Sequence, residues 1–245
     1  MAQSADVSNT NPALEFTQRQ ANLTVKKPGP SKIFIIDDHP VVAIGLAKLF
    51  ADEPDLEVCG SARSAEEIPD SFTSAPPDLF MVEIMLHAAD GLQVLTRLAE
   101  RYPRAEILVY SARDESFYAE RVLQSGAKGY IMKSESPERV VIAARRVLRG
   151  DFYISSRLQS LLFSNMDSET SGFVNPVRKL SNRELQVLQL IGQGKSNREI
   201  SSILDIRLKT VEAHRFRIRE KLNLKHSTEL TQFAIHMVER EGVSS

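Results

Sequence analysis

Between Leu180 and about Ile235 the chain reads LSNRELQVLQLIGQGKSNREISSILDIRLKTVEAHRFRIREKLNLKHSTELTQFAI. Two capping boxes stand in it, Ser181-x-x-Glu184 and Ser196-x-x-Glu199. In each, a hydroxyl and a carboxylate three residues apart can satisfy the free amides at a helix start. Gly192 and Gly194 are expected to break the first helix. The second is short and closes at Leu204-Asp205-Ile206, where Asp205 can adopt the left-handed conformation usually left to glycine. A third helix opens near Leu208. Two short helices joined by a tight turn, the second rich in basic residues, have the layout of a helix-turn-helix that reads DNA.

Whole-chain charge is uninformative here, because the formal net charge is only -1. Its distribution is informative. From Arg178 to Leu222 lysine and arginine greatly outnumber the acids Glu184, Glu199, Asp205, Glu212 and Glu220. A basic module on a near-neutral chain is an electrostatic footprint for phosphates. The 245 residues have room for two domains. No apolar run approaches the roughly 20 residues that span a bilayer, so no membrane association is expected. The N-terminus lacks an export signal pattern. Cys59 is the single cysteine, which excludes an internal disulfide and fits a reducing cytoplasm.

Four regions follow from the pattern. Residues 1–30 are polar, aperiodic and end in Lys26-Lys27-Pro28-Gly29-Pro30, which predicts a disordered tail. Over 31–149, apolar runs at Ile33–Ile36, Leu56–Cys59, Leu79–Val82, Ile107–Tyr110 and Gly129–Met132 alternate with helical stretches near 40–52, 64–73, 90–101, 114–125 and 136–148. Such alternation predicts an α/β domain, a flavodoxin-like doubly wound five-stranded parallel sheet. Residues 150–175 read as a linker with a short apolar patch at Leu158–Phe163, and 176–241 as an all-α four-helix module.

In a doubly wound sheet the carboxyl ends of the strands meet in one crevice. Those ends carry Asp37 and Asp38, then Glu83, Ser111 and Lys133. Three carboxylates would make a hard-cation site suited to Mg²⁺, and a hydroxyl and an ammonium opposite them would suit a phosphoryl group. A lone Asp at a strand end reads more simply as a helix cap. The placement of these residues at separate ends of one sheet is what carries the chemistry.

The chain resembles a two-domain bacterial response regulator of the LuxR/NarL type over about Lys32 to Val238. The motifs are IIDDHP at 35–40, ILVYSA at 107–112, GAKGYIMKS at 126–134, LSNRE at 180–184, GKSNREIS at 194–201 and KTVEAHRFRIREKL at 209–222. The resemblance implies Asp37 and Asp38 as the acidic metal pair. It implies Ser111 as the switch hydroxyl, Tyr130 as the switch aromatic and Lys133 as the lysine that pairs with phosphate. At the place of the phosphoacceptor aspartate stands Glu83, and at that of the following proline stands His87.

Phosphoryl transfer needs the attacking oxygen in line, and a misplacement of about 1 Å can cost ~10²-fold. One added methylene moves the carboxylate that far. Activation by an aspartyl phosphate, and with it a histidine-kinase partner, therefore runs against expectation. Two readings of Glu83 stay open. It reaches Ser111 and Lys133 and partly mimics a phosphoryl group, or the receiver has become a scaffold without phosphate control. Asp78, at the start of its strand, is too far from Lys133 to serve instead.

On the third helix of the module, Val211, His214, Ile218 and Leu222 fall on one side and predict packing against Ile200, Ile203, Leu204 and Ile206. The opposite side presents Lys209, Ala213, Phe216 and Glu220, flanked by Glu212 and Arg217. Near the helix start, with Thr210, these are placed to meet base edges in the major groove of double-stranded DNA. Arg215, Arg219, Lys221 and the helix start Lys195-Ser196-Asn197 are expected at phosphates. Arg207 stands where the family usually places a serine cap. A last helix, with Leu230, Phe233, Ala234 and Met237 on one stripe, serves the core, a two-fold homodimer, or both. The reading is a non-enzymatic DNA-binding transcription regulator. Its rivals are a flavodoxin-like phosphatase or phosphotransferase using the acidic crevice, and an interaction scaffold that does not bind DNA.

Overall fold

The computed structural model describes residues 29–86, 91–156, 158–159 and 176–242. The tail up to 28, His87 and most of the expected linker lie outside the described residues.

Among the described residues, five strands form one sheet: β1 (Ser31–Ile36), β2 (Leu56–Ala62), β3 (Leu79–Val82), β4 (Glu106–Ser111) and β5 (Gly129–Met132). Their order is β2-β1-β3-β4-β5, and every neighbouring pair is parallel. This is the flavodoxin-like doubly wound order, with its switch point between β1 and β3. Among the described residues, four helices cover the sheet: α1 (Pro40–Ala51), α2 (Gly91–Arg101), α3 (Glu115–Gln124) and α4 (Pro137–Leu148).

Strand alternation sorts the core into two layers, because successive side chains point to opposite faces. Phe34, Ile36, Phe80, Val82, Ile107, Val109 and Tyr130 face α2 and α3. Ile33, Ile35, Leu79, Met81, Leu108 and Ile131 face α1 and α4. With both faces covered, β1, β3 and β4 carry unbroken apolar runs, whereas the edge strand β2 alternates between buried or half-buried and exposed residues.

The helical stretch expected near 64–73 is not an α-helix. It forms two short 3₁₀ turns, Ala65–Glu67 and Asp70–Thr73. Pro69 lies between them, and Ile68 before it is extended (φ -65°, ψ 128°), as a residue preceding proline must be to avoid the ring. The beginning of the expected linker is also more ordered than a linker: Tyr153 bridges Gly129 in parallel at the free edge of β5, and Leu158 is buried.

The C-terminal module holds a 3₁₀ turn at Pro176–Lys179, then α5 (Asn182–Gly192), α6 (Asn197–Ile203), α7 (Leu208–Leu222) and α8 (Ser227–Gly242). Both capping boxes are formed, at Ser181/Glu184 and Ser196/Glu199. Gly192 does not break α5. It is the last helical residue, and a Cβ there would sit 2.2 Å from the Ala234 carbonyl oxygen of α8. Its role is close helix packing. Gly194 supplies the stop: at φ +77° it lets Lys195 N–H reach the Leu190 carbonyl at 2.9 Å.

The same closure recurs at the other two ends. Asp205 (φ 48°) lets Ile206 N–H reach Ser201 at 3.0 Å, and Asn223 (φ 56°) lets Leu224 N–H reach Arg219 at 2.9 Å. These six-to-one bonds use carbonyls that a helix end would otherwise leave bare. Among the described residues, no helix is long and apolar enough to cross a membrane.

Candidate strand-end site and DNA interface

The residues expected at the strand ends meet in one crevice. Glu83, immediately after β3, is 5% exposed. Its Oε1 accepts from Ser111 Oγ at 2.6 Å and from Met85 N–H at 2.9 Å. Its Oε2 lies 3.0 Å from Lys133 Nζ, and the same ammonium is 2.5 Å from Asp37 Oδ2. Burial pulls the lysine down, but the Glu83 and Asp37 carboxylates outweigh it and hold the ammonium above its usual value. Lys133 thus bridges the ends of β1 and β3 as an internal cation.

Tyr130 lies fully buried beneath Ser111, and its hydroxyl donates to the Arg113 carbonyl at 2.8 Å. Burial pushes this phenol well above its ordinary range despite a hydrogen bond with Ser111. The Ser111 hydroxyl also accepts from Arg113 N–H at 3.2 Å. The loop that leads into α3 is therefore fastened to both Ser111 and Tyr130.

The acidic pair is equally engaged. Asp37 Oδ1 accepts from His39 N–H at 2.9 Å, and His39 Nδ1 stands 2.8 Å from Asp38 Oδ1. Among the described residues, the ligand atoms of Asp37, Asp38 and His39 lie within 4.8 Å of one another. Glu83, expected as the third metal carboxylate, is outside that group and turned toward Ser111 and Lys133. Asp37 and Asp38 supply the hard oxygen donors that suit Mg²⁺. Asp78 stays at the far end of β3, its Oδ2 accepting from Lys32 N–H at 2.9 Å.

In the module, Val211, His214 and Ile218 are buried, and Leu222 is half-buried, as the helix phase requires. Burial, with Arg217 nearby, holds the His214 imidazole below its usual value. Lys209, Glu212, Phe216 and Arg217 are exposed; Thr210, Ala213 and Arg215 are half-buried. Phe216 is 55% exposed, with the Arg219 guanidinium 5.8 Å from its ring centroid. Lys195 and Ser196 are exposed and Asn197 half-buried at the start of α6.

Lys221 is tied differently from expectation. Its Nζ lies 2.6 Å from Oε2 of Glu184, a buried carboxylate that also closes the first capping box. Burial opposes ionisation of Glu184, but Lys221 and the Ser181 amide prevail and hold its carboxyl below the usual range. Arg207, at the N-cap of α7, makes no side-chain cap bond. On α8, Leu230, Ala234 and Met237 are buried in the module core.

Three contacts escaped the sequence. Tyr118 hydrogen-bonds Gln189, Arg121 reaches Asn182, and Lys221 pairs with Glu184. The first two join residues 71 and 61 positions apart, and no local pattern marks them.

Residues 33–145 match the response regulator receiver domain, and residues 178–234 match the bacterial regulatory proteins of the luxR family. The oxygen regulatory protein NreC of Staphylococcus carnosus (strain TM300) is 36% identical over 209 residues, covering 83% of this chain and 96% of that protein. NreC of Staphylococcus aureus (strain JH9) is 34% identical over the same coverage. Among solved structures, the RcsB response regulator of Salmonella typhimurium superposes with a TM-score of 0.61 at 19% identity, covering 85% of this chain and 98% of that one. RcsB from Salmonella enterica serovar Typhimurium, bound to promoter rprA in the presence of phosphomimetic BeF3-, gives 0.59 at 20% identity, over 84% of this chain and 98% of that one. These last two likenesses concern the fold. No phosphatase stands among these relatives to support the rival enzyme reading. The chain belongs to the DNA-binding two-component response regulators that join a receiver domain to a luxR-family helix-turn-helix module.

Proposed function

We propose that this chain is a sequence-specific transcription regulator whose receiver is set by Glu83 rather than by an aspartyl phosphate. One observation carries the reading: the Glu83 carboxylate binds the Ser111 hydroxyl and the Lys133 ammonium at once. Those two groups are the ones that the resemblance assigns to a phosphoryl group. A phosphoryl group carries about −1.5 to −2 charge and three acceptor oxygens, so a carboxylate with one charge and two oxygens replaces it only in part. The inward, buried Tyr130 fits a switch already drawn toward Ser111. This favours mimicry over the scaffold reading.

Asp37 and Asp38 would hold Mg²⁺ in this crevice, with its charge offsetting theirs. Lys133, shared between Asp37 and Glu83, offsets only one of the negative charges that Asp37, Asp38 and Glu83 bring to the crevice. A histidine kinase is not required to set the receiver.

Residues 31–149 act as the receiver and 176–241 as the DNA-binding module. Lys209, Thr210, Glu212, Ala213 and Phe216 of α7 face base edges. Arg215, Arg217, Arg219 and the amide-rich start of α6 at Lys195-Ser196-Asn197 face phosphates. Lys221 is drawn back to Glu184 and contributes less to phosphates than its position suggests. A two-fold homodimer would present two such readers to paired half-sites. Such a regulator works in the cytoplasm.

The test is intact mass after incubation with acetyl phosphate and Mg²⁺. The wild-type chain is expected to stay unmodified, and Glu83→Asp to gain one phosphoryl adduct, because positioning dominates phosphoryl transfer. A phosphoryl adduct on Glu83 of the wild-type chain would overturn the reading.

A further inference from the structure

Side chains of α3 join the receiver to the DNA-binding module. Tyr118, 2% exposed, donates its hydroxyl to Oε1 of Gln189, 0% exposed, at 2.8 Å. One helical turn on, Arg121 donates to Asn182 Oδ1 at 2.9 Å, to the Val177 carbonyl at 2.9 Å and to the Arg178 carbonyl at 3.4 Å. Glu120 pairs with Arg178 at 2.9 Å. Beneath these polar contacts the apolar core is continuous, running from Tyr118, Ala119 and Val122 into Val177, Leu180 and Leu185.

Every module residue in these polar contacts belongs to the 3₁₀ turn Pro176–Lys179 or to α5. None belongs to α7. In the same docked chain Lys209, Glu212, Phe216 and Arg217 remain exposed, as do Lys195 and Ser196. The contact therefore grips the back of the module and leaves its reader face to solvent. At its other end α3 is anchored to the switch. Asp114 caps the helix by accepting from Ser116 N–H at 2.8 Å, and Arg113 beside it is bound by both Ser111 and Tyr130.

We propose that this interface is a permissive dock, in which Tyr118, Glu120 and Arg121 position the DNA-binding module with its reader helix outward, so that the closed chain is the DNA-binding form. The inference rests on the reader face assigned above. An inhibitory cover would have to compete with DNA, and by linkage any lock on it would weaken DNA binding in proportion. A dock behind the reader has no such competition. The Arg121 fork, spread over three acceptors on two segments, fixes orientation as well as proximity.

The test locks the dock in the full chain. Glu120→Cys and Arg178→Cys, both at exposed positions, are joined by a short bis-maleimide in a Cys59→Ser background. Affinity is read by anisotropy on a duplex selected from a random library by the unbridged chain. The bridged and unbridged chains are expected to bind within about twofold. A loss of more than about tenfold on bridging alone would overturn the proposal. An error in the reader face would instead show as indifference of both forms to Lys209→Ala and Thr210→Ala. A second pair loosens the dock without a crosslink: Tyr118→Phe and Asn182→Ala are expected not to tighten DNA binding. Tightening by about tenfold in either would mean that the contact is a cover and the proposal is wrong.

Discussion

Ser111 Oγ donates a 2.6 Å hydrogen bond to Glu83 Oε1, joining the carboxyl ends of β3 and β4 through two buried side chains. The bond commits a hydroxyl that also receives Arg113 N–H, so the position of one carboxylate is felt in the loop before α3. Lys133 closes the other side of Glu83 and carries the link across to Asp37.

Replacing Glu83 with Gln keeps the length and the bond to Ser111 but removes the charge beside Lys133. The Lys133 ammonium, now held up chiefly by Asp37 against its own burial, should titrate at lower pH than in the wild-type chain. Nitrogen-detected NMR of Nζ reads this directly. DNA binding and dimerisation should weaken together; unchanged values for both would favour a scaffold receiver.

On the reader helix, Lys209→Ala and Thr210→Ala should each weaken binding, by about 1–3 kcal/mol where a good base contact is lost. Phe216→Ala should relax preference at one base pair, most simply one with a thymine methyl, in a binding-site selection. Melting temperatures should hold, since Phe216 is 55% exposed and buries little. Wild-type affinity should fall steeply with salt, with a log–log slope near −0.9 per phosphate neutralised. A flat salt response would remove the electrostatic part of this reading.

Lys221→Met should destabilise the chain at neutral pH by about 1–3 kcal/mol, because it strands the buried Glu184 carboxylate. The pH dependence has a definite sign. The folded-state pKa of Glu184 is depressed, so its contribution is present above the ordinary carboxylate range and is lost as pH falls through the folded value. Denaturant melts of both chains should show their gap narrowing below about pH 4. A gap that widens on acidification would place the stabilisation elsewhere.

Two glycines should respond in opposite directions. A Cβ at Gly45, on α1, meets nothing within 4 Å, so Gly45→Ala should stabilise by roughly 0.5–1 kcal/mol through backbone entropy. A Cβ at Gly192 would lie 2.2 Å from a backbone oxygen of α8, so Gly192→Ala should force the two helices apart and lower the melting temperature. Thermal unfolding of the two variants beside the wild-type chain checks both signs.

What the sequence determined by itself was whatever local chemistry specifies. Apolar runs of strand length made β1 to β5, and two capping boxes fixed the starts of α5 and α6. The run of helix phase put Val211, His214 and Ile218 inward and Phe216 outward. The order of strands and helices was enough to bring Asp37, Glu83, Ser111 and Lys133 to one crevice, since all parallel strands end on the same side. Pro69 lies within the stretch near 64–73 whose apolar pattern predicts a helix. There the breaking of a short helix by proline outweighed the apolar pattern.

The tertiary structure decided how the shared groups are divided. Glu83 turns to Ser111 and Lys133 rather than to the acidic pair, Lys221 turns inward to Glu184, and Gly192 serves close packing rather than a stop. It also decided that Tyr118 and Arg121 would reach Gln189 and Asn182 of the module. Each of these is a choice between partners far apart in the chain, made by burial. A charge or hydrogen-bonding group removed from water must be satisfied by whichever partner the packing brings within reach, and sequence spacing carries no record of that distance.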